Sequence, residues 1–256
     1  MKPKVLIFRT AGTNCEVETE FAFRLAGAHT ELSHINSIKK KSKELLDYQI
    51  ICFPGGFSYG DDLGAGKIFS FELSLWFRDV LLEFIRKRGL IIGICNGFQV
   101  MAKAGILPDA DFNQSVTLVQ NSSRRFEDRW VYLKLLQNSC ASEIWFKGLP
   151  SVIQLPVAHA EGRFYADDEV LKRIEENNQA ALYYTDSRGD SGGYPFNPNG
   201  SCSNIAGITD KSGRILGLMP HPERFIFGHH HPLWKRKDIF PWGLKIIENA
   251  VKYFNQ

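Results

Sequence analysis

The sequence predicts an α/β fold: a doubly wound, mostly parallel sheet with helices on both faces and a small antiparallel β flank. Two observations carry this expectation. Apolar runs of strand length alternate with helix-like runs through the N-terminal part of the chain, and such alternation builds parallel sheets covered on both faces. Glycine-rich turns stand directly behind the apolar runs ending at Phe53 and Ile92, where a parallel sheet presents its carboxyl edge.

In chain order, Lys4 to Phe8 reads as a buried strand, Glu16 to Ala26 as a helix ended by Gly27, and His29 to Ser33 as the next strand of a βαβ opening. Tyr48 to Phe53 is a further apolar strand, stopped by Pro54-Gly55-Gly56. One long amphipathic stretch, Ser70 to Arg88, leads to the strand Leu90-Ile91-Ile92, and Asn96 to Ala104 reads as a helix. Ser115 to Leu136 and Ser151 to Leu182 carry shorter β-like runs without a strong helical period, and these are expected to form the antiparallel flank. Ile215 to Leu218 is a last strand, and Asp238 to Tyr253 closes the chain as a helix.

At 256 residues the chain is long enough for a large core, and residues 1–256 are expected to fold as one domain. A hydrophobic share of 44% against 23% charged excludes disorder, and 19 Phe supply aromatic area for that core. A formal charge of +3 is too small to point to nucleic acid, and Arg86-Lys87-Arg88 fits the solvated end of a helix. The apolar run Val5 to Phe8 is too short for a signal-peptide core or a membrane span, so a cytosolic protein is expected.

Five cysteines at 15, 52, 95, 140 and 202 are odd in number and widely spaced, which suggests neither a disulfide framework nor a zinc site. His229-His230-His231 is not read as a metal tract either, because consecutive side chains of an extended loop diverge. Gly60 to Lys67 fails as a phosphate loop: no glycine stands five residues before Gly66, and Ile68 replaces the Ser or Thr needed after Lys67. No metal and no cofactor are therefore expected, and any ATP would be bound by another chain.

Gly93-Ile94-Cys95-Asn96-Gly97 places a nucleophile between glycines directly behind a strand. A strand that enters a helix through such a turn strains the nucleophile's backbone and holds its side chain out at the sheet edge. The helix N-terminus behind Cys95 is expected to lower the thiol pKa. A thiol nucleophile needs a base and a group to orient that base, and His221 and Glu223, after the last strand, supply both at the same edge. Backbone amides at Gly55, Gly56 and Asn96 are positioned to receive an oxyanion.

These residues resemble the class I (triad) glutamine amidotransferase family, with its oxyanion glycine loop, Gly-x-Cys-x-Gly elbow and late His-x-Glu. The resemblance rests on Gly12-Thr13-Asn14-Cys15-Glu16, Phe53 to Asp61, Gly93 to Val100, Pro156 to Arg163, Asn197 to Ser201 with Ile205 to Ile208, and Leu216 to Arg224, six blocks in the family's order. The Gly-Phe-Ser-Tyr-Gly-Asp and Asn-Pro-Asn-Gly-Ser blocks resemble its purine-biosynthetic branch. The resemblance implies a flavodoxin-like arrangement and hydrolysis of glutamine to glutamate through a Cys95 thioester, with His221 and Glu223 completing the triad. It also implies that Gln99 lies beside the bound glutamine, and that ammonia passes to an ATP-dependent synthase subunit, with a small accessory subunit as a further partner. The chain departs from the family at Asp62 and Gly64, where an aromatic residue and an arginine are usual, and at Ala160, where glycine is usual. The segments 185–195 and 228–237 look like insertions.

Two other readings stay open on sequence. One is a stand-alone γ-glutamyl hydrolase or cysteine peptidase of the same fold. The other is a non-catalytic binding subunit in which Cys95 is merely packed.

Overall fold

A computed structural model describes residues 2–255. Its strands are β1 (Lys4–Arg9), β2 (His29–His34), β3 (Ile50–Phe53), β4 (Leu90–Ile94), β5 (Val116–Val119), β6 (Glu127–Leu135), β7 (Val152–His159), β8 (Arg163–Ala166), β9 (Ala180–Thr185), β10 (Ile205–Thr209) and β11 (Ile215–Leu218). Its α-helices are α1 (Glu16–Leu25), α2 (Ile35–Lys39), α3 (Lys67–Trp76), α4 (Arg78–Arg86), α5 (Asn96–Lys103), α6 (Asp168–Glu176) and α7 (Trp242–Lys252).

One sheet of nine strands runs in the order β2-β1-β3-β4-β11-β10-β9-β6-β7. The first five strands are parallel, and the apolar runs of β1, β3 and β4 are buried because helices cover both faces there. β2, at the edge, alternates polar residues instead. α1 has Glu16 and Glu18 in its first turn and Arg24 in its last, matching the helix dipole, and Gly27 at φ +96° ends it. Phe8, Phe53, Phe69 and Phe77 pack ring against ring behind the sheet's carboxyl edge.

The antiparallel region differs from the expectation in extent. The small separate flank consists of β5 and β8 alone, whereas β6, β7 and β9 continue the main sheet through β10, which pairs antiparallel with β11. Four successive reversals from β11 bring β7 back to the direction of the parallel strands, so its last residue, His159, arrives at the carboxyl edge.

Three helical expectations need correction. Ser70 to Arg88 is two helices, broken where Phe77 leaves helical geometry (φ −127°, ψ 0°) to set its fully buried ring edge-on to Phe8. α6 lies inside a stretch read as β-like. It is a short helix of 9 residues set between two strands, and it buries only Ile174. α7 begins at Trp242 rather than Asp238, because Pro241 caps it. Among the described residues no helix is long and apolar enough to cross a membrane.

Candidate active site

Cys95 joins β4 to α5 at φ +50° and ψ −104°, a conformation that an L-residue holds only when its surroundings impose it. Both neighbouring glycines are required by close approach. A Cβ on Gly93 would stand 2.4 Å from Met101 Sδ, and one on Gly97 would stand 1.8 Å from the Phe53 carbonyl oxygen. The Cys95 amide donates to Leu218 O at 2.8 Å, tying the elbow to β11. Its thiol points toward Ala158 O, 3.6 Å away, on the floor of a cavity of about 250 Å³ that His221 also lines.

His221 and Glu223 follow β11. The His221 amide donates to Pro156 O at 2.8 Å, which anchors the segment to β7, and Pro222 opens a short 3-10 turn that returns Glu223 to the ring. His221 Nδ1 lies 2.6 Å from Glu223 Oε1, and each residue is 1% exposed. His221 Nε2 has no hydrogen-bond partner. Burial alone would lower the His221 pKa, but the Glu223 carboxylate and the Cys95 thiol outweigh it and hold the imidazole well above the usual histidine range. The ring is thus suited to carry a proton taken from a thiol.

Gly55 and Gly56 lie beyond β3 on the other side of the ring. A Cβ on Gly55 would meet His221 Cε1 at 2.9 Å, and Gly56 adopts φ +129°. Among the described residues neither amide donates to a protein acceptor, and the Asn96 amide stands in the first turn of α5, where no intrahelical acceptor exists. The Asn96 side chain accepts from Ser58 N at 3.3 Å and donates to Gln99 Oε1 at 2.9 Å, so it fastens the loop after Gly56 to the elbow helix. Gln99 is only 3% exposed, lines the cavity and donates to the Glu161 carbonyl. The structure therefore brings Cys95, His221, Glu223, Gly55, Gly56, Asn96 and Gln99 to one place. His229, His230 and His231 are elsewhere: His229 stacks on Phe227, His230 meets the same ring edge-on, and His231 packs against Trp130 and faces Gln154.

Sequence reasoning assigned no role to several residues that line the cavity. Cys15, at the start of α1, receives Arg224 Nη2 on its sulfur at 3.1 Å, and burial pushes its thiol pKa up. Its place in the first βα turn, at the same sheet edge as Cys95, was the available signal. His159 is 3% exposed, and burial followed by the His221 charge lowers its pKa to about 3. Asn121 fixes that ring's tautomer. Its Nδ2 donates to Arg125 O and His159 O, leaving Oδ1 to accept from His159 Nδ1 at 3.2 Å and from Gly162 N at 2.9 Å. Gly64, one of the departures from the family pattern, is at φ +101° and faces open space.

The model of the CobB/CobQ-like glutamine amidotransferase domain matches residues 2–254. A phosphoribosylformylglycinamidine synthase subunit PurQ from Dehalococcoides mccartyi is 47% identical, over 100% of this chain and 99% of its own. The protein of the same name from Methanococcus maripaludis is 45% identical, over 99% of this chain and 98% of its own. A chain in the structure of PurLQS from Thermotoga maritima superposes with a TM-score of 0.74 at 28% identity, covering 99% of this chain and 100% of that one. The chain belongs to the CobB/CobQ-like glutamine amidotransferase family, among the PurQ subunits of phosphoribosylformylglycinamidine synthase.

Proposed function

We propose that Cys95, His221 and Glu223 form the catalytic triad through which this chain, as the glutaminase component of phosphoribosylformylglycinamidine synthase, hydrolyses glutamine for de novo purine synthesis. The observation that carries the assignment is the strained Cys95 sharing one cavity with a His221 whose Nδ1 is held by Glu223 at 2.6 Å. The Cys95 thiol gives its proton to His221 and attacks the side-chain amide carbon of glutamine. Amides of Gly55 and Asn96 receive the oxyanion, with Gly56 shaping the loop. His221 then protonates the departing nitrogen, which leaves as ammonia, and the acyl group remains on sulfur as a thioester. A water molecule, deprotonated by His221, attacks the thioester; glutamate leaves and the thiol is restored. Glu223 keeps the imidazole in the required tautomer, and Gln99 lies beside the bound glutamine.

The chain's partners in this reading are glutamine, an ATP-dependent synthase subunit that takes up the ammonia, and a small accessory subunit. The Thermotoga chain that superposes on this one belongs to PurLQS, which has two further components, PurL and PurS. The protein acts in the cytosol, without a cofactor of its own. Ammonia release from free glutamine, compared with hydrolysis of γ-glutamyl peptides, tests the reading. Release from glutamine is expected, and preferential cleavage of the peptides would favour a stand-alone hydrolase.

A further inference from the structure

The turn that joins β7 to β8 brings Ala160 and Glu161 to the cavity wall. Two buried side-chain amides, for which the hydrolysis above has no task, grip this turn from behind. Asn121 is 1% exposed and Asn199 0%, and each makes four side-chain hydrogen bonds, all that a carboxamide can form. The two converge on Gly162. Its N–H donates to Asn121 Oδ1 at 2.9 Å, and its carbonyl accepts from Asn199 Nδ2 at 2.7 Å. A Cβ there would stand 2.3 Å from His159 Nδ1, so the turn is also closed to any larger residue.

The Gly162 N–H and the Glu161 carbonyl belong to one planar peptide unit. At one end of that plane the N–H reaches Asn121; at the other the carbonyl accepts from Gln99 Nε2. Gln99 Oε1 in turn accepts from Asn96 Nδ2 at 2.9 Å. The Gln99 carboxamide is therefore held in one orientation, with one N–H and one lone pair left for a ligand.

We propose that Asn121 is a positioning residue for glutamine: by fixing the Glu161–Gly162 peptide it sets the orientation in which Gln99 meets the substrate. This role rests on the glutaminase reading, in which Gln99 lies beside the bound glutamine. Without the Asn121 acceptor the Gly162 N–H is buried and unpaired, and the peptide turns to find another partner. That turn carries the Glu161 carbonyl away from Gln99 and frees the Gln99 carboxamide to rotate in the cavity. Asn199 braces the following peptide, so the freedom is confined to the unit that Gln99 reads. A fully satisfied buried network of this kind fixes one arrangement, which spares the substrate the cost of ordering its own pocket.

The test is a double-mutant cycle of Asn121→Ala and Gln99→Ala in the full chain. It is read twice, as steady-state ammonia release and as glutamine binding by calorimetry in the Cys95→Ala background. Asn121→Ala is expected to lower kcat/KM by up to about 100-fold, the usual cost of a misplacement of about 1 Å. The loss should fall mainly on KM, because the contact it loosens is made with bound glutamine. In the Gln99→Ala background the same substitution should cost little more, since the group through which it acts is gone. Losses that multiply in the double variant, or an unchanged KM in Asn121→Ala, overturn the proposal. Alkylation of Cys95 by iodoacetamide makes no use of Gln99 and should keep its wild-type rate in Asn121→Ala. A loss there equal to that for glutamine would mean that the whole site is disturbed, and overturns the proposal as well. Asn121→Ser, whose hydroxyl is too short to reach the Gly162 N–H, repeats the cycle if the alanine variant does not fold. Coupled losses of glutamine binding, in a chain that releases no ammonia, support the positioning role and overturn the glutaminase assignment instead.

Discussion

Gly97 and Phe53 meet backbone to backbone, so closely that a Cβ on Gly97 would stand 1.8 Å from the Phe53 carbonyl oxygen. The contact sets the spacing between α5, which begins just after Cys95, and the end of β3, two residues before Gly55. In an ordinary helix interior Gly→Ala stabilises by about 0.5–1 kcal/mol. Here Gly97→Ala forces the helix off the strand, with an expected loss of about 1–3 kcal/mol and a parallel loss of ammonia release. Urea unfolding of the variant and the wild type checks the sign, and an unchanged or raised midpoint would contradict the geometry.

Cys95→Ala is expected to end ammonia release from glutamine while the assembled complex still synthesises product from added ammonia, because the thiol is needed only to break the amide. His221→Ala should be comparably inactive. In a protease triad, loss of nucleophile or base costs about 10⁶-fold and loss of the orienting carboxylate about 10⁴-fold, so Glu223→Gln should retain more activity than either. Steady-state rates with saturating glutamine, corrected for the uncatalysed background, give the ranking. Equal or greater loss at Glu223 would show that its 2.6 Å bond to His221 does more than orient the ring.

The convergence of Cys95, His221 and Glu223, the proposed triad, was legible because each carries a local signature: glycines around Cys95, a strand ahead of it, and a proline between His221 and Glu223. The parallel half of the sheet was legible for a similar reason, since β1, β3 and β4 are apolar throughout. What the sequence hid depends on distance. Cys15 reaches His221 only because the first βα turn and the turn after β11 open at one edge. His159 reaches the same edge only because four strand reversals re-orient β7. The break at Phe77 was also hidden, for Phe77 continues the apolar pattern of the flanking helices, and the force that bends the chain there is packing against Phe8.

A glutamine-like diazoketone is expected to modify Cys95 alone. Cys52 lies fully buried in β3, where burial raises its pKa, and Cys15 is 1% exposed with a raised pKa of its own. Cys95→Ala should then take up no label, rather than divert it to Cys15. Peptide mapping after digestion decides the matter, and comparable label on Cys15 would mean that the cavity presents both thiols to the ligand.

His159 makes the fold acid-sensitive. Its pKa is about 3 in the folded chain, against about 6.5 for a free histidine. Below pH 6.5 the unfolded chain therefore binds a proton that the folded chain refuses, and stability falls as pH falls, by about 1.4 kcal/mol per unit. Histidine 221 has the opposite shift and works in the opposite sense, but it is common to both proteins in a comparison with His159→Gln. Between pH 7 and pH 5 the wild type should lose roughly 2 kcal/mol more unfolding free energy than His159→Gln. Denaturant titrations at the two pH values measure the difference, and equal slopes would place the His159 pKa near its unperturbed value.

The loop after Gly56 is held in an unusual backbone state, with Tyr59 and Asp61 at φ +56° and Gly60, Gly64 and Gly66 also at positive φ. It exposes Phe57 at 45% and Leu63 at 69%, so apolar side chains stand in solvent on the segment that continues the oxyanion loop. Covering them with a synthase subunit would fix the loop and, through it, the amides of Gly55 and Gly56. One misplaced oxyanion donor costs about 10²–10³ in rate. The free chain is therefore expected to hydrolyse glutamine weakly, and to gain about that factor when the synthase subunit, ATP and the formylglycinamide ribonucleotide are present. Leu63→Asp should leave the free-chain rate as it is and suppress the gain, since Leu63 touches the solvent and not the cavity. Ammonia release at saturating glutamine, measured with and without the partner, separates the cases. Equal turnover in both would mean that the loop is already set in the free chain and that docking serves only to receive the ammonia.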